Sequence, residues 1–169
     1  PEVFFPAAEH QAIVAEKKRL LQENGLEGVD PLDTELALSA NEAKFRRGHR
    51  IYRANRELMD SCQAIIANLT PFRGISADPG TVFEVGYMIG QGKPAFGFTL
   101  ESRYYRERAG ATDLDELGHT IEDFEMSDNL MIEGGIYSSG GQLFVAEQPG
   151  EHRYFSAELF RRCVRAIKK

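Results

Sequence analysis

A chain of 169 residues, 42% hydrophobic and 27% charged, is expected to form one globular domain spanning 1–169, with room for its own core but short for two. Its formal net charge of −6 argues against a nucleic-acid polymer or an anionic membrane surface as partner, since both attract basic patches. No apolar run approaches the roughly 20 residues that span a bilayer, and nothing resembles a signal peptide, so a reducing cytoplasm is the default location.

The predicted elements alternate between helix and strand. Residues 10–24 form a helix with Ile13, Val14, Lys17, Leu20 and Leu21 on one stripe, closed by Gly25. Residues 30–45 are weakly patterned and read as an exposed loop with a short turn of helix. A second helix runs from Arg46 to Ser61, with Ile51, Leu58, Met59 and Cys62 along its inner side. "AIIANL" (64–69) is a short apolar run suited to a strand covered on both faces. "TPFRGISADPG" is a loop of turn formers, and a third helix runs from Thr81 to Gln91, ended by Gly92. "PAFGFTL" (94–100) is another buried strand. A polar stretch occupies 101–125, followed by "NLMI", a glycine-rich turn, the apolar "QLFVAE" and an amphipathic helix over 156–169. Cys62 and Cys163 lack CxxC spacing and read as buried or half-buried thiols.

This alternation predicts an α/β fold with a parallel central sheet and helices on both faces. Such folds bind ligands beyond the carboxyl ends of the strands. The 70–80 loop leaves a strand and opens a helix, which puts "SADPGTVFEVGYMIGQGKPAF" at that edge.

Asp78 precedes Pro79 and is a natural N-cap, with or without a further role. Gly80 and Thr81 bring bare backbone N–H groups to a helix start, which suits an anion or a sugar hydroxyl. Val82, Val85, Gly86 and Ile89 make the sheet-facing stripe. Glu84 lies off it beside Phe83, Tyr87 and Met88, where a carboxylate is partly desolvated and costly unless used or paired. Asn55 shares the inward stripe of the preceding helix, either as a satisfied core amide or facing a ligand. Two acids near a helix start suggest chemistry at an acetal-like carbon. Six residues of helix span about 9 Å, so the carboxylates converge only if Asp78 turns back over the helix mouth.

The segments "CQAIIANLTPFRG", "SADPGTVFEVGYMIGQGKP" and "DNLMI" resemble the nucleoside 2-deoxyribosyltransferases. The similarity runs from "PEVFFP" through "DNLM", and its most specific part is Asp-x-Gly-x-x-x-Glu-x-Gly after an apolar strand and a Pro-Phe-Arg-Gly loop. The resemblance implies a flavodoxin-like fold, homo-oligomers with shared active sites, and transfer of a 2-deoxyribosyl group between nucleobases without a cofactor. By position, Glu84 matches the nucleophile and Asp78 the acid/base residue. Asn55 falls where the family places an Asp or Asn near the substrate. Asn129 matches a residue that reaches a neighbouring subunit's site to bind sugar hydroxyls, with Met131 beside it. Phe4 or Phe5 occupies a loop close to the nucleobase. Two features depart from the pattern. The family's first strand, ending in a Gly-Pro turn, is expected ahead of Pro1, and Gln63 stands where relatives often carry Asp.

Two rival functions remain at this level. One is an N-glycosidase that hydrolyses 2′-deoxynucleoside 5′-monophosphates, with Arg73 and Ser76 contributing to a phosphate pocket. The other is a nucleoside-sensing module without turnover, which retention of both acids disfavours.

Overall fold

The computed structural model describes residues 2–33, 41–110, 112–147 and 153–168. The chain divides into two compact units, Val3–Gln63 and Ala64–Lys169 together with Pro1–Glu2.

The first unit holds two helices. Helix α1 (Ala7–Gln22) starts three residues earlier than expected, because the His10 N–H already bonds the Pro6 carbonyl at 3.0 Å. It buries His10, Ile13 and Leu20, and His10 Nε2 lies 3.4 Å from Asp30 Oδ1. Gly25 closes it as expected. At φ +71° its N–H reaches the Gln22 carbonyl, and the Leu26 N–H reaches that of Leu21, both at 3.0 Å. Helix α2 (Lys44–Ser61) forms with the expected inner side, but none of its residues is buried and Ile51 is exposed. Leu58, Met59 and Cys62 are half-buried. Its cations at 46, 47, 50, 53 and 56 fall on one side and Phe45, Ile51, Tyr52, Leu58 and Met59 on the other, so the helix is amphipathic, with an apolar side that stays exposed or half-buried. Part of the loop expected over 30–45 lies outside the described residues.

The second unit is built on strands β1 (Ile65–Asn68), β2 (Ala95–Thr99) and β3 (Leu143–Val145), all parallel and in that order. Ile65 pairs with Ala95, Ala67 with Gly97, and Gly97 with Leu143, so these side chains share one face. Helices α3 (Pro79–Gly90) and α5 (Leu130–Ser138) cover that face, burying Val85, Ile132 and Ile136 against Ala67, Leu69 and Ala95. On the other face Phe98 meets Phe160 edge-on at 6.3 Å. Phe160 belongs to helix α6 (Ala157–Ile167), whose Arg162 guanidinium lies 4.7 Å from the Phe144 ring centroid. The result is the expected α/β/α layering around a parallel sheet. Every residue of β2 is buried, which is why its run is apolar with no polar alternation.

Between β2 and β3 the expectations need two corrections. The polar 101–125 stretch contains a short helix, α4 (Tyr105–Ala109), started by Tyr104 and Glu107 as a reciprocal cap. The "glycine-rich turn" is largely helix, since α5 continues through Gly134 and Gly135 and ends only at Ser138. Packing overrides glycine's poor helix propensity here, because Gly135 lets α5 lie against Ile89 of α3; a Cβ at that position would sit 3.3 Å from the isoleucine Cδ1. The turn proper falls at 139–140, and a Cβ on the following Gly141 would lie 1.6 Å from the Ala95 carbonyl oxygen.

Neither cysteine is in a disulfide, Cys62 being half-buried and Cys163 fully buried with its Sγ 3.4 Å from the Gly97 carbonyl oxygen. No described helix is long and apolar enough to cross a membrane.

Candidate active site

The 69–78 loop leaves the carboxyl end of β1 from a braced footing. Asn68 is buried, and its Nδ2 donates to the Tyr154 carbonyl at 2.6 Å and to Glu2 Oε1 at 3.0 Å, while its Oδ1 accepts the Thr70 N–H at 3.1 Å. Thr70 Oγ1 in turn accepts the Leu100 N–H at 3.1 Å, linking the loops that follow β1 and β2. The loop closes on itself through the Phe72 N–H and the Ser76 carbonyl at 3.0 Å. Arg73 sits in the left-handed region at φ +58°, its guanidinium 4.9 Å from the Phe72 ring centroid.

Asp78 caps α3 as its position before Pro79 suggested. Oδ2 accepts the Thr81 N–H at 3.0 Å and the Thr81 hydroxyl at 3.3 Å, which folds the carboxylate back over the helix mouth. The Thr81 N–H is therefore not bare, contrary to expectation. Thr81 is itself buried, and its backbone donor has already found an anion in Asp78. Gly80 is exposed, and it leaves room for the cap: a Cβ there would lie 3.0 Å from Asp78 Oδ2.

The buried arc of α3 is Thr81, Val85 and Met88, widened by Val82 and Ile89. Gly86 is exposed and Met88 buried, the reverse of the sequence reading. The reason is that α3 packs on the sheet and on α5 together, so its covered arc is broader and centred elsewhere than a single sheet contact would place it. Glu84 is half-buried on the flank of that arc, one helical turn beyond Thr81. Phe83 and Tyr87 stack at 6.2 Å between centroids on the outer side.

Asn129 caps α5, its Oδ1 accepting the Met131 N–H at 3.1 Å and its Nδ2 donating to Glu122 Oε2 at 2.9 Å. Met131 is strongly exposed, at 75%. Asp78, Gly80 and Glu84 thus share the first two turns of α3, and Asn129 with Met131 opens the neighbouring helix. Asn55 and Phe5 belong to the other unit. Asn55 is half-buried on α2, and Phe5 lines a cleft of about 210 Å³ with Val3, His10 and Leu32. Ser76, considered for a phosphate pocket, gives its hydroxyl to Asp128 Oδ1.

Asp128 and Arg108 were missed by sequence reasoning. Asp128 was visible only as the acid before a helix cap in "DNLMI". Arg108 lies in the stretch read only as polar, and nothing local marks it.

The parallel α/β/α unit thus carries two carboxylates, Asp78 and Glu84, at the start of the helix that follows its first described strand, the edge at which such folds place small-molecule sites. Comparison with known proteins narrows this. The family model described as "Nucleoside 2-deoxyribosyltransferase" matches residues 1–131. An uncharacterised protein of Schizosaccharomyces pombe is 33% identical over 152 residues, covering 78% of this chain and 71% of that protein. Among solved structures, a 2-desoxiribosyltransferase from Leishmania mexicana aligns with a TM-score of 0.69 at 25% identity, covering 98% of this chain and 93% of that one. A conserved protein from Enterococcus faecalis shares the fold, with a TM-score of 0.60 at 21% identity and the same coverage of 98% and 93%. The chain belongs to the nucleoside 2-deoxyribosyltransferase family.

Proposed function

We propose that residues 1–169 act as one catalytic domain that moves the 2-deoxyribosyl group of a 2′-deoxynucleoside from one nucleobase to another. The Glu84 carboxylate attacks C1′ while the C1′–N bond breaks through an oxocarbenium-like transition state. The departing base takes a proton held on Asp78. A second base then attacks C1′ of the deoxyribosyl-Glu84 ester, returns its N–H proton to Asp78 and frees Glu84. Asn129 and Met131 serve the site of a neighbouring subunit, Gly80 and Asn55 border the substrate, and Phe5 lies near the nucleobase. No cofactor is needed in this scheme, because bond making and breaking balance within the two displacements.

The observation that carries the reading is the carboxylate of Asp78 folded over the mouth of α3, with Glu84 half-buried further along the same helix, in a chain of this family. Hydrolysis of monophosphates is less well supported. It calls on Ser76 for a phosphate, yet the Ser76 hydroxyl is already bound to Asp128, whose charge repels one.

The test is base exchange from deoxyinosine to free adenine, with intact-mass detection of a deoxyribosyl adduct. Glu84→Ala is expected to abolish both exchange and adduct while remaining folded. Exchange that survives in this variant refutes the mechanism.

A further inference from the structure

Asp128 is 2% exposed, and no step of the transfer uses it. Its carboxylate takes three donors: the Ser76 hydroxyl and the Asn129 N–H on Oδ1, the latter at 2.8 Å, and the Ala77 N–H on Oδ2 at 2.8 Å. A carboxylate withdrawn from water is costly unless donors surround it, and here they do. The placement of those donors is the informative part. Ser76 and Ala77 immediately precede Asp78, and Asn129 caps α5. One buried side chain therefore joins the loop that presents the proposed proton manager to the cap proposed to bind sugar.

Arg108 repeats this join one residue further out on each side. Its Nε donates to the Ile75 carbonyl at 2.9 Å and its Nη2 to the Ser127 carbonyl at 2.7 Å, while Nη1 holds the Arg103 carbonyl at 2.6 Å. Burial pushes the guanidinium's pKa down, and the negative charges of Asp128 and then Glu101 oppose that. Arginine's intrinsic pKa keeps the group charged throughout.

We propose that Asp128, backed by Arg108, is a positioning residue that locks Ser76 and Ala77 to Asn129, so that the Asp78 carboxylate stays at the mouth of α3 in the geometry for proton transfer to the departing base. It touches neither sugar nor base. The inference rests on the transferase reading of Asp78.

A lock on the proton manager has a signature that general destabilisation lacks. Asp78 matters in proportion to the proton demand of the leaving group. A p-nitrophenyl 2-deoxyriboside, whose phenolate departs without a proton, bypasses it. Asp128→Asn keeps the side-chain volume but turns an NH2 donor toward a set of donors. Its kcat with deoxyinosine is expected to fall about 10–100-fold, with KM and the aryl-glycoside kcat each changing less than about threefold. Equal losses on both donors, or none on either, overturn the proposal. If Asp128→Asn does not fold, Ser76→Ala removes one donor and leaves the carboxylate in place. It is expected to lose about 2–10-fold on deoxyinosine, with the aryl donor again spared. A Ser76→Ala enzyme without that discrimination overturns the proposal as well. Wild-type protein inactive on both donors refutes the transferase reading, and the positioning role falls with it. That result is distinct from an active enzyme whose variants ignore the leaving group.

Discussion

Asp78 and Thr81 are bound twice, by the backbone N–H and by the hydroxyl of the threonine, both onto Asp78 Oδ2. One oxygen is thus engaged in capping α3, and the same carboxylate is the proposed proton manager. The two roles can be separated by substitution. Asparagine still caps a helix well but cannot carry the proton, whereas alanine does neither. Asp78→Asn should lose at least about 100-fold in base exchange while its thermal midpoint stays near wild type. Asp78→Ala should lose the same activity and about 1 kcal/mol of stability besides. Thermal denaturation run beside the exchange assay checks both.

Gly80→Ala tests how closely that carboxylate is held. Alanine is normally favoured over glycine in a helix, by about 1 kcal/mol. Here the new Cβ would stand 3.0 Å from Asp78 Oδ2 and displace it. The expected outcome is a variant without the usual gain in stability, whose exchange activity falls about tenfold, within the range of a misplaced acid/base group. A variant both more stable and fully active would show that the cap geometry has slack.

Gly141→Ala addresses the packing of β2 against the turn before β3. Its Cβ would fall 1.6 Å from the Ala95 carbonyl oxygen, and both partners are backbone, so neither can swing aside as a side chain would. A loss on the order of 3 kcal/mol or more is expected. Urea denaturation followed by far-UV circular dichroism measures it, with Gly134→Ala, where a Cβ meets nothing within 4 Å, as the control.

Glu101 provides an acid-side marker. Side-chain hydrogen bonds from Arg103, at 2.7 and 3.0 Å, hold its pKa down to about 2, against an ordinary value near ~4.3. A carboxylate whose folded pKa is depressed adds stability that is present above its unfolded pKa and is lost as pH falls through the folded one. The window is therefore about pH 4.3 down to 2. Arg103 is 59% exposed, so solvent screens the pair and the contribution is small. Glu101→Gln should lower the neutral-pH stability slightly and flatten its fall across that window, so that variant and wild type converge near pH 2, as read by denaturation at a series of pH values.

Much of the scaffold was legible along the chain, because its signals are local. Asp78 before Pro79 announced a cap, the runs at 65–68 and 95–99 announced strands, the second buried throughout and the first half-buried at Ile65 and Ile66, and Gly25 announced the end of α1. Failures came where a distant partner decides burial. Met88 and Gly86 exchanged places because α5 widens the covered arc of α3. Gly134 and Gly135 read as a turn because the close approach to Ile89 that favours helix there is invisible in "EGGIYSSGG".

The sequence by itself determined most element types, α4 and the end of α5 excepted, with the parallel α/β class and the two acids on α3, since periodicity, capping residues and the "ADPGTVFEVG" spacing all act over a few residues. Only the tertiary structure decided what braces the loop that leads into Asp78. Asp128 reaches Ala77 across 51 positions and Arg108 reaches Ile75 across 33, separations at which no local pattern carries information. Burial is the physical reason these contacts matter. Away from water, a carboxylate must find its donors wherever the fold brings them, and here two of the three come from the loop that presents Asp78.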